Sequence, residues 1–130
     1  MSRNGAGRVN CKVEPRPGLR RYFEDLIQMA GQSAAIQGCV IGSLSLEIAA
    51  TSPLLQDRLS SSFKQWQSAV AGVLSEAAAK GDMAKSIKPD SLAGFVLNSW
   101  EGALLRSQAD KSDAPLNDFL RYMFEKVLAK

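Results

Sequence analysis

Histidine is absent from the 130 residues. That removes the usual general base near neutral pH and the commonest metal ligand. Ser-His-Asp and Cys-His catalysis go with it, as do di-metal bundles built on Glu-x-x-His. The two cysteines, Cys11 and Cys39, stand far apart, so neither a disulfide framework nor a Cys-x-x-Cys metal site is available. No apolar run reaches the roughly 18 residues that a membrane-spanning helix needs, and the N-terminus lacks the apolar core of a signal peptide. No stretch alternates with a period of two, and no Gly-rich loop follows a strand pattern. These absences predict a cytoplasmic protein that is not an enzyme, with no catalytic residue, no metal, no cofactor and no membrane contact.

Charge is unevenly spread. Residues 1–21 hold Arg3, Arg8, Lys12, Arg16, Arg20 and Arg21 against Glu14, which is +5 where the whole chain is +3, so the body carries −2. Within that stretch, residues 1–18 contain three glycines and two prolines and show no periodicity, so they are read as a disordered or loosely ordered basic leader. Without interleaved aromatics for base stacking, their nucleic-acid signal is weak. Residues 19–130 are expected to form one helical domain.

The chain is organised around a long amphipathic segment. Leu55, Leu59, Phe63, Trp66, Val70, Val73 or Leu74, and Ala77 recur at steps of three and four, one continuous stripe on an α-helix. Ser52 is its natural N-cap, Pro53 sits where a missing N–H costs nothing, and Gly81 is the stop. Ahead of this rod, Leu19 to Ala30 predicts a helix with Leu19, Tyr22 or Phe23, Leu26 and Ile27 inward. Gly38 to Ala50 predicts a second helix, apolar in several directions and rich in small residues that allow close approach. After the rod come a loop with Ile87 turned inward, a fourth helix capped by Asp90, and a fifth from Leu116 to Ala129 opened by Pro115. The expected fold is therefore all-α, with about five helices. The fourth and fifth helices carry apolar residues on more than one face, more than one subunit is expected to hide, so a homodimer is predicted through them. Its candidate interface is Leu97, Leu104, Leu105, Leu116, Leu120, Met123, Phe124 and Val127.

With the helices laid out, GCVIGSLSLEIAATSPLLQDRL, FKQW, EAAAKGDM and SLAGFVLNSWEGALLRSQADKSDAPLNDF resemble the C-terminal domain of TetR-type transcriptional repressors. The likeness spans about Gly18 to Lys130. It implies a domain that binds a small inducer among its helices and dimerises through its last two. Family members carry a helix-turn-helix head of about fifty residues before this region, and eighteen residues cannot hold three helices. The resemblance therefore implies the sensing half without the DNA-reading half, with DNA as a partner only if such a head is supplied. A second reading is a headless module that heterodimerises with a full-length repressor and blocks its DNA binding.

Candidate contacts for a small apolar or aromatic inducer are Met29, Cys39, Ser43, Phe63, Trp66, Phe95, Asn98 and Trp100. Each has a plainer role as core or surface. Cys39 has no Lys or Arg within a helical turn to lower its pKa, which favours a buried small hydrophobe over a redox sensor. Glu47 and Glu101 lie in otherwise apolar helices, where a carboxylate needs a partner or solvent; Arg58, Arg106 or a cationic inducer are the candidates.

Overall fold

A computed structural model describes residues 14–29, 52–81, 83 and 86–128. The predicted helix from Gly38 to Ala50 lies outside these residues, as do Cys39, Ser43 and Glu47. The described elements are four α-helices with no strand among them: α1 Pro15–Met29, α2 Pro53–Ala79, α3 Pro89–Asp110 and α4 Ala114–Tyr122, followed by a wider turn at Met123–Val127. No described helix is long and apolar enough to cross a membrane.

Helix α1 begins earlier than its sequence predicts. Pro15 and Pro17 act as breakers only where their missing N–H would be needed, and in a first turn it is not. The amide of Gly18 reaches the Glu14 carbonyl at 2.8 Å. Pro15 and Gly18 are themselves buried, so part of the expected leader belongs to the fold.

The rod is as the caps specify. Ser52 Oγ accepts from the Leu55 amide at 3.3 Å and Pro53 opens the helix. Gly81 takes φ +81°, a conformation that favours glycine. Its 27 residues span about 40 Å at the α-helical rise. Burial along the stripe is graded: Val70, Val73, Leu74 and Ala77 are in the core, Leu59, Phe63 and Trp66 are half-buried, and Leu55 is exposed.

Asp90 does not cap α3. Pro89 occupies the first turn, which pushes the cap back to Lys88, whose backbone is extended and whose side chain makes no capping bond. Asp90 instead places its charge in the first turn, favourable against the helix dipole. Its backbone carbonyl accepts from Gln67 Nε2 of α2 at 2.8 Å. At the other end Lys111 takes the left-handed conformation at φ 51°, ψ 49°, and its N–H reaches the Ser107 carbonyl. Ser107 Oγ donates to the Ser112 carbonyl at 2.6 Å, and Ser112 Oγ accepts from the Ala114 amide at 3.1 Å, closing the tight corner into α4.

The last helix is not regular to its end. The Leu128 amide reaches the Met123 carbonyl at 2.7 Å, five residues back instead of four. Leu128 is thereby fully buried, while Val127, which a regular helix would stack over Met123, is 38% exposed. Periodicity at 3.6 residues cannot foresee one inserted residue.

The core is aromatic at its centre. Phe23 of α1 is fully buried, with ring centroids 5.2 Å from Trp100, 5.1 Å from Phe119, 5.3 Å from Tyr22 and 6.3 Å from Phe124. Most of these pairs are edge-on or tilted, as ring quadrupoles favour. Leu19, Leu74, Val96, Leu97, Leu104 and Leu116 pack around them, and Met83 and Ile87 of the α2–α3 loop close one side.

Because Lys111 holds a backbone conformation costly for a side chain with a Cβ, Lys111→Gly is expected to stabilise the fold by about 1 kcal/mol. The check is the thermal midpoint, expected to rise by roughly 2–6 °C.

Candidate ligand-binding and subunit faces

Of the eight sequence-predicted inducer contacts, Cys39 and Ser43 lie outside the described residues, and the other six stand in different settings. Trp100 is a core residue stacked on Phe23 and Phe119. Met29 is 47% exposed at the end of α1, and Asn98 is exposed on α3. Phe95 is half exposed and lies on the α3–α4 side. Phe63 and Trp66 are the two that remain together, one helical turn apart on the half-buried part of the α2 stripe. Trp66 packs against the core, and its indole Nε1 is buried with no hydrogen-bond partner among the described residues. A buried N–H without an acceptor is costly, and it marks a place where an acceptor would be bound favourably.

The predicted interface divides in two. Leu97, Leu104, Leu116, Met123 and Phe124 are buried within the protomer, and Leu120 is half-buried. Trp100 and Phe124 are 3% and 2% exposed in a single subunit. The expectation that one subunit cannot hide these side chains is corrected: they lie in one core cluster, in which Phe23 of α1 packs against Trp100 and Phe124. Only Leu105 and Val127 of the predicted set are exposed.

The outer face of α3 and α4 carries a different set. Phe95, Ser99, Gly102 and Arg106 follow one another at helical spacing on α3 and oppose Pro115, Asp118, Tyr122 and Val127 across an open groove of about 390 Å³. Phe95 and Tyr122 are each about half exposed. Nothing lies within 4 Å of where a Cβ on Gly102 would sit, so the groove floor is open to an incoming surface. The Arg121 guanidinium stands 5.5 Å from the Tyr122 ring centroid, and Arg106 pairs with Asp110 at 3.1 Å, giving the groove a charged rim. Phe95 is legible in sequence as an aromatic but not as a groove residue. Its spacing with Ser99, Gly102 and Arg106 was the available signal, obscured because α3 is apolar nearly all round.

Glu101 is half-buried on α3 and forms no ion pair among the described residues; Arg106 is engaged by Asp110 instead. Burial raises its carboxyl pKa above the usual 4.5. A carboxyl with a raised folded-state pKa binds more protons when folded, so its contribution is most favourable below the unfolded value and is lost as pH rises through the folded one. Glu101→Gln is therefore expected to stabilise the protein at pH 7, with the gain disappearing below about pH 4.5. Urea unfolding of both chains across pH 4–8 checks the sign.

The described helices define an all-α domain in which Phe95 and Tyr122 stay about half exposed on the last two helices. The chain belongs to the family of tetracycline repressor-like C-terminal domains, whose sequence profile matches residues 15–123. It is 32% identical over 119 residues to the HTH-type transcriptional repressor DhaR of Mycobacterium sp. (strain GP1), covering 92% of this chain and 58% of that protein. It is 33% identical over 113 residues to the transcriptional regulator AcuR of Cereibacter sphaeroides, covering 87% of this chain and 52% of that one. The chain thus spans about half the length of these curated relatives. Among solved structures, the regulatory protein TetR from Rhodobacter sphaeroides superposes with a TM-score of 0.74 at 27% identity, over 90% of this chain and 62% of that one.

Proposed function

We propose that this chain is the effector-sensing and self-association domain of a transcriptional regulator, acting in the cytoplasm as a homodimer and binding a small apolar or aromatic molecule among its helices. The observation that carries the reading is the α3–α4 groove, where Phe95, Tyr122 and Val127 stand exposed around a floor of small residues. A two-fold axis along such a face brings four helices together and covers the aromatics of both copies at once. Phe63 and Trp66, whose indole N–H has no partner among the described residues, support an effector site along α2, where a ligand acceptor would satisfy the donor. The names of DhaR and AcuR support this setting.

Effector binding regulates only if the ligand prefers one of two poses of the helices. A thermal-shift screen of apolar and aromatic compounds is the direct search, since a ligand at 100 times its Kd adds about 2.7 kcal/mol of stability. Pairing is tested by sedimentation of the 130-residue chain. Wild type is expected to be dimeric at micromolar concentration, and Phe95→Asp to weaken pairing by about 30-fold or more, the cost of losing a central aromatic anchor. A monomeric wild type, or a dimer indifferent to Phe95→Asp, contradicts the proposal.

A further inference from the structure

The wide turn at Met123–Val127 is tied to α1. In a regular helix the Leu128 amide would bond to the Phe124 carbonyl. Here it bonds to the Met123 carbonyl at 2.7 Å, which releases the Phe124 carbonyl from it. Arg16 of α1 donates to that carbonyl through Nη1 at 3.3 Å. One turn along α1, Arg20 reaches Glu125 Oε2 at 3.9 Å while Glu24 holds its Nε at 3.2 Å. The Nε of Arg16 is buried without a partner among the described residues, so the bond to Phe124 is what fixes this guanidinium in place.

The turn has two available registers. With four-residue stacking, Val127 falls over Met123 and Leu128 over Phe124, both on the core side; with the wide turn, Leu128 takes the place over Met123 and Val127 falls over the exposed Tyr122. Core packing alone does not favour the wide turn, so another contact must hold it. The two registers differ at the surface: in the observed one Leu128 is fully buried and Val127 lines the groove beside Tyr122. Wide turns of this kind are uncommon and often functional.

We propose that Arg16 is a positioning residue for the subunit face: it holds the C-terminal segment in the wide-turn register, puts Val127 into the α3–α4 groove, and so sets from α1 how tightly a second copy docks. This rests on the reading of that groove as the self-association face. Population of the two registers then couples the pose of α1 to the strength of pairing.

The test uses the 130-residue chain and two changes. Arg16→Met keeps the stem but removes the donor. Deletion of Lys126, an exposed residue of the turn, lets Leu128 stack over Met123 in a regular helix with the valine still directed to the groove. In the otherwise wild-type chain, Arg16→Met is expected to raise the dimer dissociation constant about tenfold, the factor that 1.4 kcal/mol gives. Methyl NOEs from Met123 are expected to pass from Leu128 to Val127. In the deletion background no clamp is required, so the same substitution is expected to change pairing by less than about twofold, a non-additivity that isolates the coupling. Equal effects in both backgrounds, or unchanged pairing and NOEs in the otherwise wild-type chain, overturn the proposal. If the deleted chain fails to fold, the Met123 NOEs of Arg16→Met alone decide. A silent Arg16→Met with pairing sensitive to Phe95→Asp defeats this proposal alone; pairing indifferent to Phe95→Asp defeats the groove reading and this proposal with it.

Discussion

Phe23 holds the fold together. Its ring joins α1 to Trp100 of α3, to Phe119 of α4 and to Phe124 of the wide turn, with centroid separations between 5.1 and 6.3 Å. A buried aromatic contributes both the hydrophobic transfer of its area and edge-to-face contacts. Trp100, Phe119 and Phe124, which this ring touches, are buried within one protomer, while Phe95, Leu105, Tyr122 and Val127 of the same helices and turn stay exposed.

That constraint explains how legible the chain was. The rod could be read almost to the residue because its signals are local: Ser52 and Pro53 at one end, Gly81 at the other, and a single stripe between them. The fold class and family were equally accessible, since no strand pattern competes. What failed were features that depend on a residue's neighbours, along the chain or across the fold. Pro15 and Pro17 look like breakers until they are seen in a first turn. Asp90 looks like a cap until Pro89 is placed. The stacking of Leu128 in place of Val127 depends on a carbonyl that Arg16 holds from another helix, about a hundred positions away.

The candidate faces were legible in outline only. Counting apolar positions on α3 and α4 showed that they face two ways but not which positions face inward. Leu97, Leu104, Leu116, Met123 and Phe124 belong to the core, where they cluster with Phe23 of α1 and with Val70 and Leu74 of α2. Phe95 belongs to the outer face because it follows Ser99, Gly102 and Arg106 around the helix. Likewise Trp100 and Trp66 look alike in sequence, yet one is the neighbour of Phe23 and the other keeps a buried indole N–H without an acceptor. Burial, set by which helix covers which, separates a core aromatic from a candidate ligand contact.

The account turns on whether the α1 aromatic carries the C-terminal helices within a single subunit. Urea unfolding of Phe23→Ala against wild type, at a fixed protein concentration, measures this most directly. A loss of about 3–5 kcal/mol is predicted for a buried Phe reduced to Ala, with near-UV signal from Trp100 weakened at zero denaturant. A loss below about 1 kcal/mol, the size of an ordinary surface substitution, with an unchanged Trp100 signal, would contradict it.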